Sequence, residues 1–338
     1  MTLKTVQMYF EFQNEIDGPP KRPDELFSQA CSNDNVTVNT WSKIWLDQIK
    51  KNKEFIGDFK KHGIGKLFKK FYLKPIIVAG SGPSLKKNSH LLKDTKGVPV
   101  VSCLHNFHHF VDNDLRCDYF ITLDAGPVTI EEISEGGSKS HDEYVEKTKD
   151  YTLIAYIGTH PDLIKLWKGE ILFFNVPVPD QKFMEEMFQV EKFNQWMTSG
   201  GCVLGAATYF AKGVLGGNPL CFIGADFSFD YTKKFHSWDS KYDKDIGVAM
   251  RALDVWGHKV YTWNSYWNFK CWFDWLACKV PGIYFNATEG GLMGAYPEGN
   301  IKQIKQTTLE NFLRMYSICD ELKEQFMNEN SDELKILF

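Results

Sequence analysis

The chain has 338 residues, 43% of them hydrophobic, which suits one large α/β domain with appendages or two small domains. Its formal net charge of −4 disfavours nucleic-acid binding over the whole surface but leaves room for a local basic patch. It contains no run of about 18 apolar residues and no basic-then-apolar leader, so we expect no transmembrane segment and no secretory signal. The eight cysteines are scattered without a Cys-x-x-Cys pair, which is typical of reduced thiols in a cytoplasmic protein.

Residues 1–73 are predicted to form an N-terminal extension that is partly helical and basic. The helical pattern runs from Asn39 to Phe71, and its apolar positions recur at helix spacing at Trp41, Ile44, Trp45 and Ile49. Lysines are concentrated between Lys50 and Lys74. The simpler interpretation is a solvated helix face, and the alternative is a docking surface for nucleic acid or lipid headgroups.

Residues 74–306 are predicted to form the core domain, and residues 307–338 a helical tail. Short apolar runs alternate with helical patterns, which indicates an α/β, Rossmann-like, doubly wound and mainly parallel sheet. The predicted strands are Pro75–Ala79, Val98–Ser102, Tyr119–Leu123, Thr152–Tyr156, Ile171–Phe174, Pro219–Ile223 and Lys259–Thr262. The predicted helices include Ser84–Leu92, Ser199–Val214 and Asp245–Trp256.

A glycine-rich turn, Gly80-Ser81-Gly82-Pro83-Ser84-Leu85, follows the first core strand. Ligands of such sheets bind at the carboxyl ends of the strands, and glycines let the backbone approach a phosphate or a ribose. The turn lacks the third glycine of the dinucleotide-binding pattern, because Leu85 stands there, and it lacks the Gly-Lys-Ser/Thr of a P-loop. A tight turn between a strand and a helix, without a ligand, is the simpler interpretation.

Four blocks occur in order along the chain. They are IIVAGSGPSL at Ile76–Leu85, CDYFITLD at Cys117–Asp124, TSGGCVLGAATYFAKGVLGGNPLCFIGADF at Thr198–Phe227, and YFNATEGG at Tyr284–Gly291, with His236 ten residues after Asp226. Together they resemble the MptE-like family. That family includes the archaeal 6-hydroxymethylpterin pyrophosphokinases and the motility-associated factor (Maf) proteins that glycosylate flagellin.

Some of the same segments are also similar to the bacterial lipo-oligosaccharide sialyltransferases. The counterparts are Gly80–Leu85, Thr198-Ser199-Gly200, Gly224–Phe227 and His236-Ser237. In that family the matching histidine is the general base. The segment that matches Cys103–Phe107 carries an asparagine that contacts the nucleotide, so the resemblance implies this role for Asn106, or for His105 because the spacing differs by one residue.

These resemblances imply a set of site residues. The nucleotide or donor is expected to contact Gly80, Ser81, Gly82, Pro83, Ser84, Asn106, Asp124, Thr198, Ser199, Gly200, Asn286, Thr288 and Glu289. His236 and Asp226 are the predicted catalytic residues, and Tyr231 and Tyr242 are candidates to stabilise the leaving phosphate. Asp226 is open to three roles: binding ribose, orienting the histidine, or holding Mg²⁺ together with Asp124. The alternative is that it only caps its loop.

The sequence therefore predicts a glycosyltransferase that moves a sugar from a nucleotide-sugar donor to an acceptor hydroxyl, with His236 as general base. One alternative is an ATP-dependent pyrophosphokinase of the 6-hydroxymethylpterin type that uses Mg²⁺, and another is an inactive nucleotide-binding scaffold. No cofactor beyond the donor is firmly implied, although Mg²⁺ fits the pyrophosphokinase. The expected acceptor is an anionic or aromatic macromolecule, which leaves modified DNA, a glycan and a protein open. The oligomeric state is also left open.

Overall fold

The computed structural model describes residues 23–178, 180–229, 249–296 and 299–316. The strands are, in chain order, β1 Ile76–Ala79, β2 Val100–Cys103, β3 Tyr119–Thr122, β4 Thr152–Tyr156, β5 Ile171–Phe174, β6 Leu220–Ile223, β7 Met250–Leu253, β8 Lys259–Thr262, β9 Tyr284–Asn286 and β10 Ile304–Gln306. The helices are α1 Pro23–Ile56, α2 Leu85–Asn88, α3 Phe107–Asp112, α4 Val128–Glu132, α5 His141–Lys147, α6 Pro161–Leu166, α7 Gln181–Glu191, α8 Val203–Tyr209 and α9 Asn264–Lys279, with a further helical stretch at 309–316. In the described ranges, no helix combines the length and the apolar character needed to cross a bilayer.

Eight strands form one parallel sheet in the order β10-β9-β6-β1-β2-β3-β4-β5. The strands near its centre are buried along their whole length, which is typical of a parallel sheet covered by helices on both faces. The predicted α/β, Rossmann-like fold is therefore confirmed.

The order of the strands reverses at β1. After β1 the chain builds β2 to β5 on one side, and it then crosses over to place β6 on the other side, where Ile76–Ala79 pairs with Leu220–Ile223. The turns that follow β1 and β6 therefore lie side by side at the point of reversal. In open α/β sheets this reversal leaves a crevice at the carboxyl ends of the strands, which is the usual place for a ligand.

The long helix α1 lies across the carboxyl ends of β3 and β4. Ile49 is fully buried. The buried Gln48 donates from Nε2 to the carbonyl of Ala125 at 2.8 Å. The buried Asn52 donates from Nδ2 to the carbonyls of Ile157 at 2.9 Å and Thr159 at 2.8 Å. Because these carbonyls follow β3 and β4, two side-chain amides fix the helix to the same edge of the sheet as the crevice.

The basic segment after α1 leads away from this edge. The helix ends at Ile56 rather than at the predicted Phe71, and two short 3₁₀ turns follow. The backbone N–H groups of Lys69, Phe71 and Leu73 donate to the carbonyls of residues 214–216, which precede β6. Lys69, Lys70 and Lys74 therefore lie at the amino-terminal edge of the sheet, opposite the glycine turn.

The predicted helix Asp245–Trp256 is wrong where the structure describes it. Residues 250–253 form β7, which pairs with β8 in an antiparallel hairpin, and residues 245–248 lie outside the described ranges. Exposure alternates along β7, which is the period of a strand. The predicted strand at Lys259–Thr262 is correct, but it belongs to this hairpin and not to the main sheet.

Replacing Asn52 tests the attachment of α1. We expect Asn52→Ala to lower the free energy of unfolding by about 2–3 kcal/mol, because it leaves two buried carbonyls without their donor. Urea denaturation measures the change. The control Lys51→Ala removes only an exposed pair with Asp47 and should stay within about 0.5 kcal/mol of the parent. Equal stability of both variants would contradict the proposed attachment.

Candidate functional site

The glycine turn after β1 is held against the turn after β6. Gly80 donates its N–H to the carbonyl of Ile223 and Gly82 donates to that of Gly224, both at 2.9 Å. A Cβ on Gly80 would lie 2.4 Å from the oxygen of Gly224, and a Cβ on Gly82 would lie 2.0 Å from Oδ2 of Asp226. The two glycines are thus required for close contact between the turns, independently of any ligand.

Asp226 is a buried carboxyl group at this contact, with 8% of its surface exposed. The hydroxyl of Ser84 donates to Oδ2 at 2.7 Å, and the backbone N–H of Ser84 donates to Oδ1 at 3.3 Å. Burial raises the pKa of Asp226 to about 6, although the bonds from Ser84 and the charge of Lys87 act in the opposite direction. The site therefore holds a carboxyl group that titrates close to neutral pH.

The crevice beside Asp226 is a pocket of about 180 Å³. It lies between the two turns, the start of α8 and the start of α9. Its lining residues are Gly80, Ser81, Gly82, Cys202, Leu204, Gly224, Ala225, Asp226, Phe227, Ser228, Tyr266 and Phe269. Three residues of the predicted donor site and one predicted catalytic residue therefore share this crevice.

A second pocket, of about 430 Å³, lies beyond the ends of β3, β4 and β5. One wall comes from α1 and consists of Thr37, Val38, Trp41 and Trp45. The other walls are Leu123, Asp124, Ala125, Tyr156, Val176, Pro177, Val178, Thr198, Ser199, Gly200, Gly201, Cys202 and Val203. We call it the Trp41 pocket. Cys202 lines both this pocket and the crevice, so the loop before α8 separates two adjacent spaces.

The sequence model of a family described as 6-hydroxymethylpterin diphosphokinase MptE-like matches residues 48–232, which is more than half of the chain. The chain belongs to the MptE-like family. The resemblance found in the sequence motifs is thereby confirmed.

A solved structure shares the fold of this MptE-like chain. It is the Maf glycosyltransferase from Magnetospirillum magneticum AMB-1, which aligns with a TM-score of 0.52 at 14% sequence identity. The alignment covers 81% of this chain but only 41% of the Maf protein, so the chain spans well under half of that protein's length. No curated protein sequence matches the chain.

The loop that carries Thr198, Ser199 and Gly200 is tightly packed in the MptE-like chain. Gly200 has a φ of +56°, and a Cβ there would lie 2.4 Å from the ring of Trp272. A Cβ on Gly205 would lie 1.9 Å from the carbonyl oxygen of Ser199. The two glycines let the loop fold back on α8 and α9, which leaves Ser199 on the wall of the Trp41 pocket.

Asn106 is fully buried behind the glycine turn. Its Nδ2 donates to the carbonyl of Gly80 at 3.0 Å and to the hydroxyl of Ser102 at 2.9 Å. Contact between Asn106 and a nucleotide stays a prediction. In the structure its amide supports the turn from the side of β2. The alternative candidate, His105, lies 3.3 Å from Glu132, measured from Nδ1 to Oε1.

The buried Asn286 and Thr288 and the partly exposed Glu289 form a layer behind the turn after β6. Thr288 accepts from the N–H of Ala225 at 3.1 Å, and Asn286 donates to Gln306 at 2.9 Å. Glu289 accepts from Nδ2 of Asn88 at 3.0 Å. These bonds connect β6, β9 and β10 with α2. Donor binding by these three residues stays a prediction, and the described contacts give them a supporting position.

Three predicted residues, His236, Tyr231 and Tyr242, lie outside the described residues. Pro83 lies at the glycine turn and is partly exposed. Asp124 lines the Trp41 pocket, where its Oδ1 accepts from the N–H of Gly126 at 2.8 Å.

The suggested Mg²⁺ pair is divided between the two pockets, because Asp226 lines the crevice and Asp124 does not. In the part of the chain that the structure describes, no group of three or more His, Cys, Asp or Glu side chains is placed to hold a metal ion. The described side chains alone therefore do not fit a Mg²⁺ cage.

Sequence reasoning missed the contribution of α1 to the Trp41 pocket. The helical spacing of Trp41 and Trp45 was visible, but spacing alone does not distinguish a core face from a pocket wall. The aromatic side chains of Tyr266 and Phe269 at the crevice were missed for the same reason.

Replacing Asp226 tests its raised pKa. Because burial raises this pKa from 3.8 to about 6, the ionised side chain destabilises the fold as pH rises through that interval. We expect Asp226→Asn to gain about 1–3 kcal/mol in unfolding free energy relative to the parent between pH 4 and pH 8. Urea denaturation at both pH values measures the difference. The exposed Glu186→Gln serves as control, and an equal gain there would remove the assignment.

Proposed function

We propose that this MptE-like chain is a glycosyltransferase that binds a nucleotide-sugar donor at the crevice between β1 and β6 and transfers the sugar to an acceptor hydroxyl. The observation that carries the proposal is the buried carboxyl of Asp226, with a pKa of about 6, beside a crevice that adjoins a larger aromatic pocket. Such an arrangement offers one space for the activated phosphate end of a donor and one for a ring. The Maf glycosyltransferase supports the proposal through its fold alone.

The activated end of the donor is assigned to the crevice. Ser81 lines it from the glycine turn, and no side chain on Gly80 or Gly82 obstructs the backbone there. Ser84 was predicted to face the ligand, but its hydroxyl and N–H are both engaged by Asp226. Lys87, whose charge acts on Asp226, is exposed on α2 and is available to attract phosphate.

Proton transfer from the acceptor hydroxyl is assigned to His236, with Asp226 as its assistant. A general base works best when its pKa lies near the working pH, and Asp226 meets this condition among the described residues of the crevice. The pH profiles of His236→Ala and Asp226→Asn distinguish the roles. Loss of the acid limb of kcat/KM in one variant identifies the base, since that profile reports the ionisations of the free enzyme.

The acceptor is proposed to be a hydroxyl of a macromolecule, and a protein, a glycan and modified DNA are all compatible with this chemistry. Lys69, Lys70 and Lys74 lie at the opposite edge of the sheet from the crevice. We therefore propose that these lysines contact distant parts of the acceptor and not its reacting group.

A diphosphokinase is the second candidate, because the matching family is described by that activity. It requires Mg²⁺ bound mainly by the phosphates of ATP, because the described carboxylates are divided between two pockets. The inactive scaffold is the third candidate. Product analysis separates the three: a glycosyltransferase releases a nucleotide and a glycosylated acceptor, a diphosphokinase releases AMP, and a scaffold releases neither. Loss of turnover in EDTA with recovery in Mg²⁺ would favour the diphosphokinase.

Charge at Ser81 tests the crevice. We expect Ser81→Glu to abolish the thermal shift caused by nucleotides, because it adds a second and less buried carboxylate to the crevice beside Asp226, and this added charge repels phosphate. The matched control is Ser81→Gln, which has nearly the same size without the charge and should keep a measurable shift. If both variants respond to nucleotides as the parent does, the donor does not bind at the glycine turn.

A further inference from the structure

The Trp41 pocket is built partly from residues that precede the family match. The match begins at residue 48, and the pocket residues of α1 are Thr37, Val38, Trp41 and Trp45. The residues that attach the helix, Gln48 and Asn52, follow on the same helix face, because spacings of four, three and four residues keep one face. The pocket therefore combines a wall that precedes the matched region with other walls that lie within it.

The two tryptophans of this wall differ in their packing. Trp45 makes an edge contact with Tyr156 at 6.1 Å between ring centroids and a tilted contact with Phe183 at 5.7 Å. Trp41 makes no ring contact and no side-chain hydrogen bond within the described ranges, although it is partly buried on the pocket wall. Trp45 fixes the wall, and the ring of Trp41 is left with a face for a ligand.

Trp41 lies beside a carboxylate. An atom placed at the Cβ position of Gly126 would lie 3.7 Å from Cη2 of Trp41 and 3.2 Å from Oδ1 of Asp124. A ring that stacks on Trp41 is therefore within reach of Asp124, and Ser199 lies on the same pocket lining. Flat apolar faces and a few convergent polar groups are the usual composition of a small-molecule site.

The charge that lines the Trp41 pocket is negative. Among its described lining residues, Asp124 is the single charged side chain. A second acid, Glu132, lies near Asp124: burial raises the pKa of Glu132 and the charge of Asp124 adds to this rise, while His105 acts in the opposite direction. A carboxylate or phosphate placed in this pocket would meet the carboxylate of Asp124, and such like-charge contacts are unfavourable in a partly buried site. The crevice differs because the charge of Lys87 acts on its carboxyl group, Asp226.

We propose that the Trp41 pocket binds the sugar ring of the donor, and that this sugar is neutral or carries an amine rather than an acid group. The ring stacks its C–H face on Trp41 and donates hydroxyl hydrogen bonds to Asp124 and Ser199. The phosphates stay in the crevice on the other side of Cys202. The proposal rests on the proposed glycosyl transfer for the identity of the donor, and it assigns sugar selectivity to the N-terminal helix.

The test measures what the sugar adds to binding. Calorimetry gives the Kd of UDP-N-acetylglucosamine, GDP-mannose and CMP-N-acetylneuraminic acid, each against UDP, GDP or CMP alone. The Kd of the nucleotide alone divided by the Kd of the nucleotide sugar is the sugar contribution. We expect a contribution above one for a neutral sugar, and Trp41→Ala should reduce it about five- to tenfold, while Trp41→Phe keeps most of it. The matched control Trp256→Ala removes an exposed indole in the turn between β7 and β8, which lines neither the Trp41 pocket nor the crevice, and should change nothing.

Asp124→Asn tests whether the negative charge of Asp124 selects against acidic sugars. This variant should raise the sugar contribution of the acidic sugar and lower that of the neutral sugar. The proposal is overturned if the acidic sugar contributes most in the parent protein, or if Trp41→Ala weakens nucleotide and nucleotide sugar by the same factor.

A second measurement separates this site from the proposed reaction. Saturation-transfer NMR with methyl glycosides of glucose, glucosamine and N-acetylneuraminic acid detects ring contacts without any nucleotide. Contacts of the neutral or amino sugar that disappear in Trp41→Ala support the site, even if no nucleotide sugar binds or turns over. Sugar contacts that depend on Trp41, together with no binding or turnover of any nucleotide sugar, would reject the proposed function but not the sugar site. Absence of sugar contact in both experiments overturns the site.

Discussion

Close contact between the turns after β1 and β6 is the constraint on which the described site depends. Gly80 and Gly82 admit the backbone of Gly224 and the carboxyl of Asp226 at distances that no side chain would tolerate. Ser84 then holds this carboxyl, Asn106 supports the turn from behind, and Thr288 fixes the neighbouring Ala225. A glycine pattern that looks like a ligand cradle is thus first a device that joins two turns at the reversal point of the sheet.

The two pockets differ in their electrostatics as well as in their position. In the crevice, burial raises the pKa of Asp226 to about 6, which suits proton exchange, although the hydrogen bonds from Ser84 act to lower it. In the Trp41 pocket, Asp124 is only partly buried and lies beside Trp41, which makes no ring contact with the described part of the chain. The loop at residues 198–203, packed on Trp272 through Gly200, separates the two pockets.

The parallel sheet was predictable because its central strands are buried on both faces and therefore appear in the sequence as continuous apolar runs. Such runs can be recognised without knowing which strands pair. The position of Asp226 beside the crevice was predictable because this residue follows a strand at the edge of the sheet where ligands usually bind. The role of Asn106 in supporting the backbone was not predictable, because the sequence does not distinguish an asparagine that bonds the backbone from one that binds a ligand. The hairpin of β7 and β8 was missed because Met250–Leu253 is too short to reveal its period. The short strands β9 and β10 owe their formation to pairing with β6 and with each other.

Helix α1 has two structural roles, attachment to the sheet and formation of one wall of the Trp41 pocket. Its turns around Gln48 and Asn52 are attached to the ends of β3 and β4, and the turns before them project over the pocket. Because a helix transmits its direction along its axis, the position of Trp41 is set by bonds made two and three turns away. Substitutions in the turns before Gln48 can therefore present new side chains to the same pocket, while the bonds that attach the helix to the sheet stay unchanged.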